Sequence, residues 1–291
     1  MMDGMHTAKL KTKPLFFAVT GHPVAHSLSP AMHNAAYAAA GLPHTYLAVD
    51  VVPGRLRTAF QAMRVLGFGG ANVTVPLKEE AFRLVDKLDP EARLFGSVNT
   101  IRFTPRGLHG YSTDGYGFET AVREDLGLAL PGKAVTIIGA GGGARAVALT
   151  CARRGVRSLV FFDAFPDKAE TLRREIHRRF PKLAVSIPAT PAAQIAAIRT
   201  ADLAVNATPI GMKAQDVFPF GPQAFRRGLL AFDLVYVFPR TAFMRAATAG
   251  GARAVNGLGM LLHQGARAFE IWTGCPAPLA AMRGALGACR T

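Results

Sequence analysis

The sequence has few cysteines and no long hydrophobic run. Its 291 residues include only Cys151, Cys275 and Cys289, too few and too widely spaced for a disulfide framework or a zinc site. It contains no uninterrupted stretch of about 18 apolar residues, as a membrane-spanning helix would need. No apolar segment near the start precedes a small-residue cleavage site, so no secretory signal is predicted. We therefore expect a reduced, cytoplasmic protein that binds neither a metal nor a membrane.

Acidic residues are also scarce. The chain has nineteen Asp and Glu residues and 34 Lys and Arg residues, which give a formal net charge of +15. A basic protein of this kind can bind nucleic acid, a membrane surface or small anionic ligands. The basic residues are scattered, aromatic residues are not interleaved with them, and no nucleic-acid motif is present. A small anionic substrate is favoured, and a non-catalytic protein that senses dinucleotides or binds nucleic acid is the rival from another class.

Short apolar runs alternate with helical patterns along most of the chain. Half of the residues are hydrophobic, which excludes a disordered protein. The alternation predicts an α/β fold with mostly parallel sheets, and the length suits two domains. We predict a flexible tail over residues 1–14, a substrate-binding catalytic domain over 15–114, a Rossmann NAD(P)-binding domain over 115–256 and a C-terminal helical segment over 257–291.

Local signals in the first domain predict individual elements. A helix should begin at Ser29, with its side chain as the N-cap and Pro30 in the first turn. The pattern over Lys78–Leu88 is typical of a single helix. Val98–Phe103 and Gly107–Tyr111 are predicted to form a hairpin.

A glycine-rich loop lies between a predicted strand, Ala134–Ile138, and a helix. It has the pattern G-x-G-x-x-A, in which the first glycine makes the turn and the second admits a pyrophosphate close to the backbone. The start of the helix then offers free N–H groups and a positive dipole end. The loop predicts a bound dinucleotide, with contacts from Gly139, Ala140, Gly141, Gly142, Gly143 and Ala144.

The next predicted strand ends at Asp163, at about the 20-residue spacing expected for a ribose-binding acid. Its carboxylate can accept hydrogen bonds from the adenosine ribose and would repel a 2′-phosphate. The cofactor is therefore NAD(P), with NAD favoured and NADP as the alternative. Arg145 and Lys168 are nearby cations that could still meet a phosphate.

Four polar segments follow predicted strands of the first domain: Ser27–Pro30, Asn72–Lys78, Ser97–Thr100 and Ser112–Gly115. Open α/β sheets bind ligands beyond the carboxyl ends of their strands, so we expect these segments to converge. Their hydroxyls, amide, lysine and aspartate suit a small polyhydroxylated anion. Each residue alone also fits an ordinary role in a turn or a helix cap.

With these motifs the chain resembles the shikimate dehydrogenase family, including its quinate-using relatives. The resemblance covers nearly all of residues 15–275 in the segments SLSPAMHN, NVTVPLK, SVNT, TDGYGF, GAGGGA, NATPIGM, DLVY and GLGMLLHQGARAFEIWTG. It implies an N-terminal α/β substrate domain, a Rossmann domain, and a last helix that returns to the first domain. It also implies a cytoplasmic oxidoreductase, monomeric or homodimeric, that interconverts shikimate and 3-dehydroshikimate in aromatic amino acid and chorismate biosynthesis. An NAD-dependent quinate/shikimate dehydrogenase of quinate catabolism is the alternative.

By the same resemblance, Lys78 and Asp114 are the catalytic pair. The substrate contacts it implies are Ser27, Ser29, Thr74, Asn99, Tyr236 and Gln264. The further cofactor contacts it implies are Thr208, Leu234 and Gly257. A lysine can take the proton of an alcohol only if its pKa falls from about 10.4 towards working pH. A neighbouring carboxylate favours the charged lysine, so we assign Asp114 to orientation, a substrate hydrogen bond and proton relay.

Three positions depart from the usual family pattern or refine it. Ser112 stands where the family has asparagine, which would remove one amide contact. Asp163–Phe165 replaces the Asn-Arg-Thr of NADP-dependent members and thereby removes an arginine that would pair with the 2′-phosphate. Serine at both Ser27 and Ser29 resembles shikimate-preferring members more than quinate-preferring ones.

Overall fold

The protein is described by a computed structural model that covers residues 13–288. Two six-stranded sheets follow one another along the chain, which confirms the predicted α/β class. The tail predicted over residues 1–14 lies outside the described residues except for its last two positions. The predicted domain limits stay a prediction.

The first sheet mixes parallel and antiparallel strands. Its order is β2-β1-β3-β5-β6-β4, with β1 parallel to both β2 and β3, and β5 antiparallel to β3 and β6. Its elements are β1 (Phe16–Gly21), α1 (Ser29–Ala39), β2 (Thr45–Asp50), α2 (Leu56–Val65), β3 (Phe68–Val73), α3 (Lys78–Leu84), β4 (Lys87–Leu88), α4 (Pro90–Phe95), β5 (Thr100–Thr104) and β6 (Gly107–Tyr111).

The second sheet is entirely parallel, in the order β12-β11-β10-β7-β8-β9. The strand order reverses between β7 and β10, which is where doubly wound sheets bind their ligands. Its elements are α5 (Asp114–Leu126), β7 (Ala134–Ile138), α6 (Gly142–Arg153), β8 (Ser158–Phe162), α7 (Pro166–Arg179), β9 (Ala184–Ser186), α8 (Pro191–Thr200), β10 (Leu203–Asn206), β11 (Leu230–Asp233), α9 (Ala242–Ala249) and β12 (Arg253–Val255).

The last two helices, α10 (Leu258–Thr273) and α11 (Leu279–Ala288), return to the first sheet. Trp272 and Phe269 share one buried apolar cluster with Phe17 of β1 and Tyr46 of β2. The predicted return of the C-terminal helix is therefore confirmed. Within residues 13–288, no helix has both the length and the apolar character to cross a bilayer.

Trp272 ties α10 to the first sheet. Its ring centroid lies 4.8 Å from that of Phe17, and its Nε1–H donates to the carbonyl of Ile101 at 2.9 Å. Trp272→Phe keeps an aromatic ring but leaves that carbonyl without this donor. We expect the free energy of unfolding to fall by about 1–3 kcal/mol, measured by denaturant titration with circular dichroism. Phe16→Leu, at a half-exposed ring in the same sheet, should change it far less; equal losses would contradict the role given to Trp272.

The helix predicted over Lys78–Leu88 is wrong beyond Leu84. Val85 is already extended, with φ −82° and ψ 146°, and the N–H of Asp86 donates to the carbonyl of Leu108 at 2.9 Å. Lys87 and Leu88 then pair with β6. Pairing with a strand distant in sequence outweighs the local preference for helix.

The predicted capping role of Ser29 is also wrong. Leu28 occupies the N-cap position, no side chain caps the helix, and Ser29 is its first helical residue. Ser27 instead accepts the backbone N–H of Ser29 on its Oγ at 3.3 Å. The side chain of Ser29 is consequently not engaged in capping.

Candidate active site

A cavity of about 200 Å³ is formed by residues of both sheets. Its wall includes the starts of α1, α3 and α5, the loops after β3 and β11, and α10. All eight residues predicted for catalysis and substrate binding line it: Ser27, Ser29, Thr74, Lys78, Asn99, Asp114, Tyr236 and Gln264. The structure thus brings the four polar segments together, while the role of each residue stays a prediction.

Lys78 and Asp114 are in direct contact inside this cavity. The distance from Lys78 Nζ to Asp114 Oδ2 is 2.5 Å, with side chains 29% and 10% exposed. Each residue is the first of its helix, α3 and α5. The start of a helix carries a positive partial charge, which stabilises the carboxylate of Asp114. A lysine amine is thereby held at the cavity wall by a largely buried acid.

Asn99 holds the other oxygen of this acid. Its Nδ2 donates to Asp114 Oδ1 at 2.8 Å and to Thr113 Oγ1 at 3.0 Å, while its Oδ1 accepts the backbone N–H of Thr113 at 2.8 Å. Gln264 Oε1 lies 3.4 Å from the same Nδ2. The two carboxylate oxygens of Asp114 therefore have different partners, one an amide and the other an amine.

Hydroxyl groups also line this cavity. Ser27, Ser29 and Tyr236 contribute side chains there, and burial raises the pKa of Tyr236 above its usual value of 10. A phenol with a raised pKa stays protonated at neutral pH and can donate a hydrogen bond. These hydroxyls, together with Thr74, can pair with the oxygens of a small polar anion.

A second cavity, of about 570 Å³, adjoins the first. Leu234 and Tyr236 line both, as does His26, while Gly143 and Thr208 line the second. Gly257 lines the first cavity, and a Cβ added to it would lie 2.3 Å from the carbonyl oxygen of Leu234. Only glycine fits that close approach. The predicted cofactor contacts after β10, β11 and β12 thus surround the junction of the two cavities.

The glycine loop adopts the backbone that its pattern predicts. Gly139 has φ +108°, and an added Cβ would lie 2.9 Å from the carbonyl oxygen of Ala207. At Gly141 and Gly142 an added Cβ would meet nothing within 4 Å, so the space in front of α6 is open. The first N–H groups of a helix have no partner within it. An open space and free donors fit the pyrophosphate of a dinucleotide.

Known proteins are similar to this chain along most of its length. Residues 19–101 match the profile of the shikimate dehydrogenase substrate binding domain, and residues 257–286 match that of the shikimate 5'-dehydrogenase C-terminal domain. Shikimate dehydrogenase (NADP(+)) of Methanopyrus kandleri is 44% identical over 268 residues, which cover 91% of this chain and 92% of that protein. The chain belongs to the shikimate dehydrogenase family.

Two solved structures of related enzymes have nearly the same fold. Shikimate 5-dehydrogenase from Listeria monocytogenes, in complex with shikimate and NAD, is 33% identical with a TM-score of 0.86, covering 96% of this chain and 99% of that one. Quinate dehydrogenase from Corynebacterium glutamicum, in complex with NAD, is 31% identical with a TM-score of 0.86, covering 94% and 99%. The overlap extends over both sheets, so it supports the architecture of a shikimate dehydrogenase along almost the whole chain.

In this member of the shikimate dehydrogenase family, an aspartate follows β8 beside the glycine loop. Asp163 Oδ2 accepts the N–H of Ala140 at 2.7 Å, and its Oδ1 accepts the N–H of Phe165 at 2.8 Å. The carboxylate is thus fixed next to the loop that fits the pyrophosphate. Lys168 Nζ lies 4.6 Å from the ring centroid of Phe165.

Arg145 is engaged elsewhere. Its guanidinium donates to both oxygens of Glu175 at 2.6 Å and to the carbonyl of Phe95. Three of its five N–H groups therefore have protein partners, and Arg145 also lines a surface pocket together with Ala140 and Lys168. Lys168 is the other cation that the sequence offers to a cofactor phosphate, and its ammonium lies over the ring of Phe165.

Several residues that line the first cavity were not predicted from the sequence. Among them are His26, Asn72, Met260 and Leu261. Asn72 belongs to one of the four polar segments and His26 directly precedes another, so their position in the sequence was an available signal. Ser112 does not line the cavity; it is buried, and its Oγ has no hydrogen-bond partner among residues 13–288. The same residues contain no group of three His, Cys, Asp or Glu side chains suited to a metal ion.

Proposed function

We propose that this protein catalyses the reversible NAD(P)-dependent interconversion of shikimate and 3-dehydroshikimate, with Lys78 and Asp114 as the catalytic pair. The observation that carries the proposal is the 2.5 Å contact between these side chains in a cavity lined by hydroxyls and amides. Membership of the shikimate dehydrogenase family supports the substrate class. The glycine loop, next to a second cavity at the switch point of the sheet, supports the cofactor class.

The cavity offers distinct partners for the two ends of the substrate. Ser27, Ser29 and Tyr236 can donate hydrogen bonds to its carboxylate. Asn99 and Gln264, with Thr74, can pair with ring hydroxyls. Binding through all of these groups would hold the reacting hydroxyl against Lys78, converting an encounter into an oriented complex.

Lys78 moves the proton. A nicotinamide cofactor held by the glycine loop would supply the acceptor for the hydride of the alcohol carbon. As that hydride leaves, Lys78 Nζ accepts the hydroxyl proton, and in the reverse direction its ammonium returns the proton to the ketone oxygen. Asp114 fixes the amine in place, and Asn99 shares the negative charge of Asp114 so that it favours the charged lysine less.

We further propose that the preferred cofactor is NAD. The carboxylate of Asp163, held by the N–H groups of Ala140 and Phe165, would accept the ribose hydroxyls and repel a 2′-phosphate. No arginine occurs within residues 163–168. The relative from Methanopyrus kandleri is named for NADP(+), so this preference would separate the chain from that relative.

Quinate is the second candidate substrate, supported by the overlap with quinate dehydrogenase. Quinate carries one more ring hydroxyl than shikimate, and a pocket built to pair a hydroxyl can discriminate strongly between two such substrates. Serine at both Ser27 and Ser29 favours shikimate. We therefore expect activity with quinate to be the weaker of the two.

Four steady-state assays test both choices together: shikimate and quinate, each with NAD and NADP. We expect the highest kcat/KM with shikimate and NAD. A tenfold preference for NADP would overturn the cofactor assignment, and faster turnover of quinate would overturn the substrate assignment. No turnover of either alcohol, combined with tight and salt-sensitive nucleic-acid binding in a gel shift, would favour the non-catalytic rival.

A further inference from the structure

Tyr46 is a buried tyrosine that the reaction described above does not use. It is 1% exposed, and helix α1 fixes it in two ways. The side chain of Asn34 bonds both its backbone N–H and its carbonyl, at 2.8 and 2.9 Å. The ring of His33 stacks on its phenol ring, with centroids 4.3 Å apart and planes 5° from parallel. The hydroxyl of Tyr46 consequently has little freedom to move.

This hydroxyl donates to an amide at the wall of the active site. The distance from Tyr46 Oη to Asn72 Oδ1 is 2.6 Å. The Nδ2 of Asn72 lies 3.1 Å from the carbonyl of Asn99 and 2.9 Å from Thr100 Oγ1. A carbonyl can only accept, so Nδ2 must face Asn99 and Oδ1 must face the phenol. Burial raises the pKa of Tyr46 well above 10, which keeps the donated proton in place.

The network continues from this amide to the catalytic pair. Thr100 Oγ1 donates to Asn99 Oδ1 at 3.2 Å, Asn99 Nδ2 donates to Asp114 Oδ1 at 2.8 Å, and Asp114 Oδ2 contacts Lys78. We call Tyr46, Asn72, Thr100 and Asn99 the buried network. It runs without a break from the phenol to the carboxylate of Asp114.

We propose that Tyr46 is a positioning residue whose hydroxyl, acting through Asn72, holds Asn99 against Asp114. The inference rests on the proposed function of Lys78 and Asp114. Without the hydroxyl, Asn72 Oδ1 would be buried with no donor, a state that favours rotation of the amide. Asn99 would then share less of the charge of Asp114, and the carboxylate would hold the proton of Lys78 more tightly.

Two tyrosine variants separate this role from packing. Tyr46→Phe removes the hydroxyl and keeps the stacked ring. Tyr37→Phe is the matched control: Tyr37 is also 1% exposed and lies in the same aromatic cluster, but its hydroxyl has no hydrogen-bond partner within residues 13–288. We expect Tyr46→Phe to lower kcat with shikimate about tenfold, the effect of one buried hydrogen bond. Its acidic limb of kcat against pH should move to higher pH, with the KM of the cofactor unchanged, whereas Tyr37→Phe should match the wild type.

Asn72→Ala tests whether the Tyr46 hydroxyl acts on Asn99 through Asn72. Its result does not depend on how well the Tyr46→Phe variant folds. It should lower kcat at least as much, and the double variant Tyr46→Phe/Asn72→Ala should be no slower than Asn72→Ala alone. Additive losses, a wild-type kcat for Asn72→Ala, or identical kinetics for the two tyrosine variants would each overturn the inference.

A readout without substrate keeps this inference separate from the proposed function. The pH dependence of Lys78 acetylation by acetic anhydride, followed by mass spectrometry, reports on the amine directly. The labelling curve should move to higher pH in Tyr46→Phe and stay in place in Tyr37→Phe. Failure of the wild type to oxidise shikimate would overturn the proposed function, while an unmoved labelling curve in Tyr46→Phe would overturn the role of Tyr46.

Discussion

Lys78→Ala should lower kcat for shikimate oxidation by about 10³-fold, within the range of a lost general base. The amine at the cavity wall is in contact with Asp114, and removing it leaves no side-chain amine there to take up the alcohol proton. That loss corresponds to about 4 kcal/mol of transition-state stabilisation. The KM of the cofactor should change little, because the glycine loop and β8 belong to the other sheet. Steady-state kinetics with both substrates saturating measures the effect.

Lys182→Ala is the matched control, because it removes the same charge from an exposed position. It should leave kcat within twofold of the wild type. Both variants should unfold at nearly the same temperature as the wild type, since Asp114 keeps its bond from Asn99 when the lysine is absent. A Lys78→Ala protein that turns over shikimate at a near wild-type rate would show that another group takes the proton.

Sequence reasoning reached the fold because its strongest signals are local. The strand Ala134–Ile138 has the bounds that its apolar run predicts, as expected of a strand covered on both faces. α4 was missed although Asp89 caps it, accepting the N–H of Ala92 at 2.7 Å. Its six residues are too few for a clear period. Pairing between β4 and β6 could not be predicted, because it depends on contacts distant in sequence.

The candidate site was predictable to the extent that its residues lie in short polar segments. Lys78, Asn99 and Asp114 each stood out in such a segment, and their convergence follows from the position of strand ends. Tyr46 gave no comparable signal. It occupies a strand, β2, where an aromatic residue is ordinary, and its partner Asn72 lies on another strand, 26 residues away.

Replacing Asp163 should change the preference between NAD and NADP, the second largest effect that we expect after that of Lys78→Ala. The carboxylate of Asp163 lies beside the glycine loop and accepts hydrogen bonds from two backbone N–H groups. Two charges about 4 Å apart near a protein surface interact by about 4 kcal/mol, so its removal should relieve a strong repulsion of the 2′-phosphate. We expect Asp163→Ala to lower kcat/KM with NAD and raise it with NADP. The ratio of the two should shrink at least tenfold in steady-state assays with shikimate.

Asp163→Asn and Asp167→Ala make this test specific. Asp163→Asn keeps an oxygen for one of the two N–H groups and removes the charge, so it should narrow the ratio as Asp163→Ala does, with less loss of thermal stability. Asp167 is an exposed acid four residues further on, in the first turn of α7, and it lines a surface pocket together with Ala140. Its loss removes a nearby charge while Asp163 keeps its bonds from Ala140 and Phe165. If Asp167→Ala changed the ratio as much, the local charge in general, and not Asp163 in particular, would explain the preference. An unchanged affinity for NAD in both Asp163 variants would mean that this carboxylate does not touch the ribose.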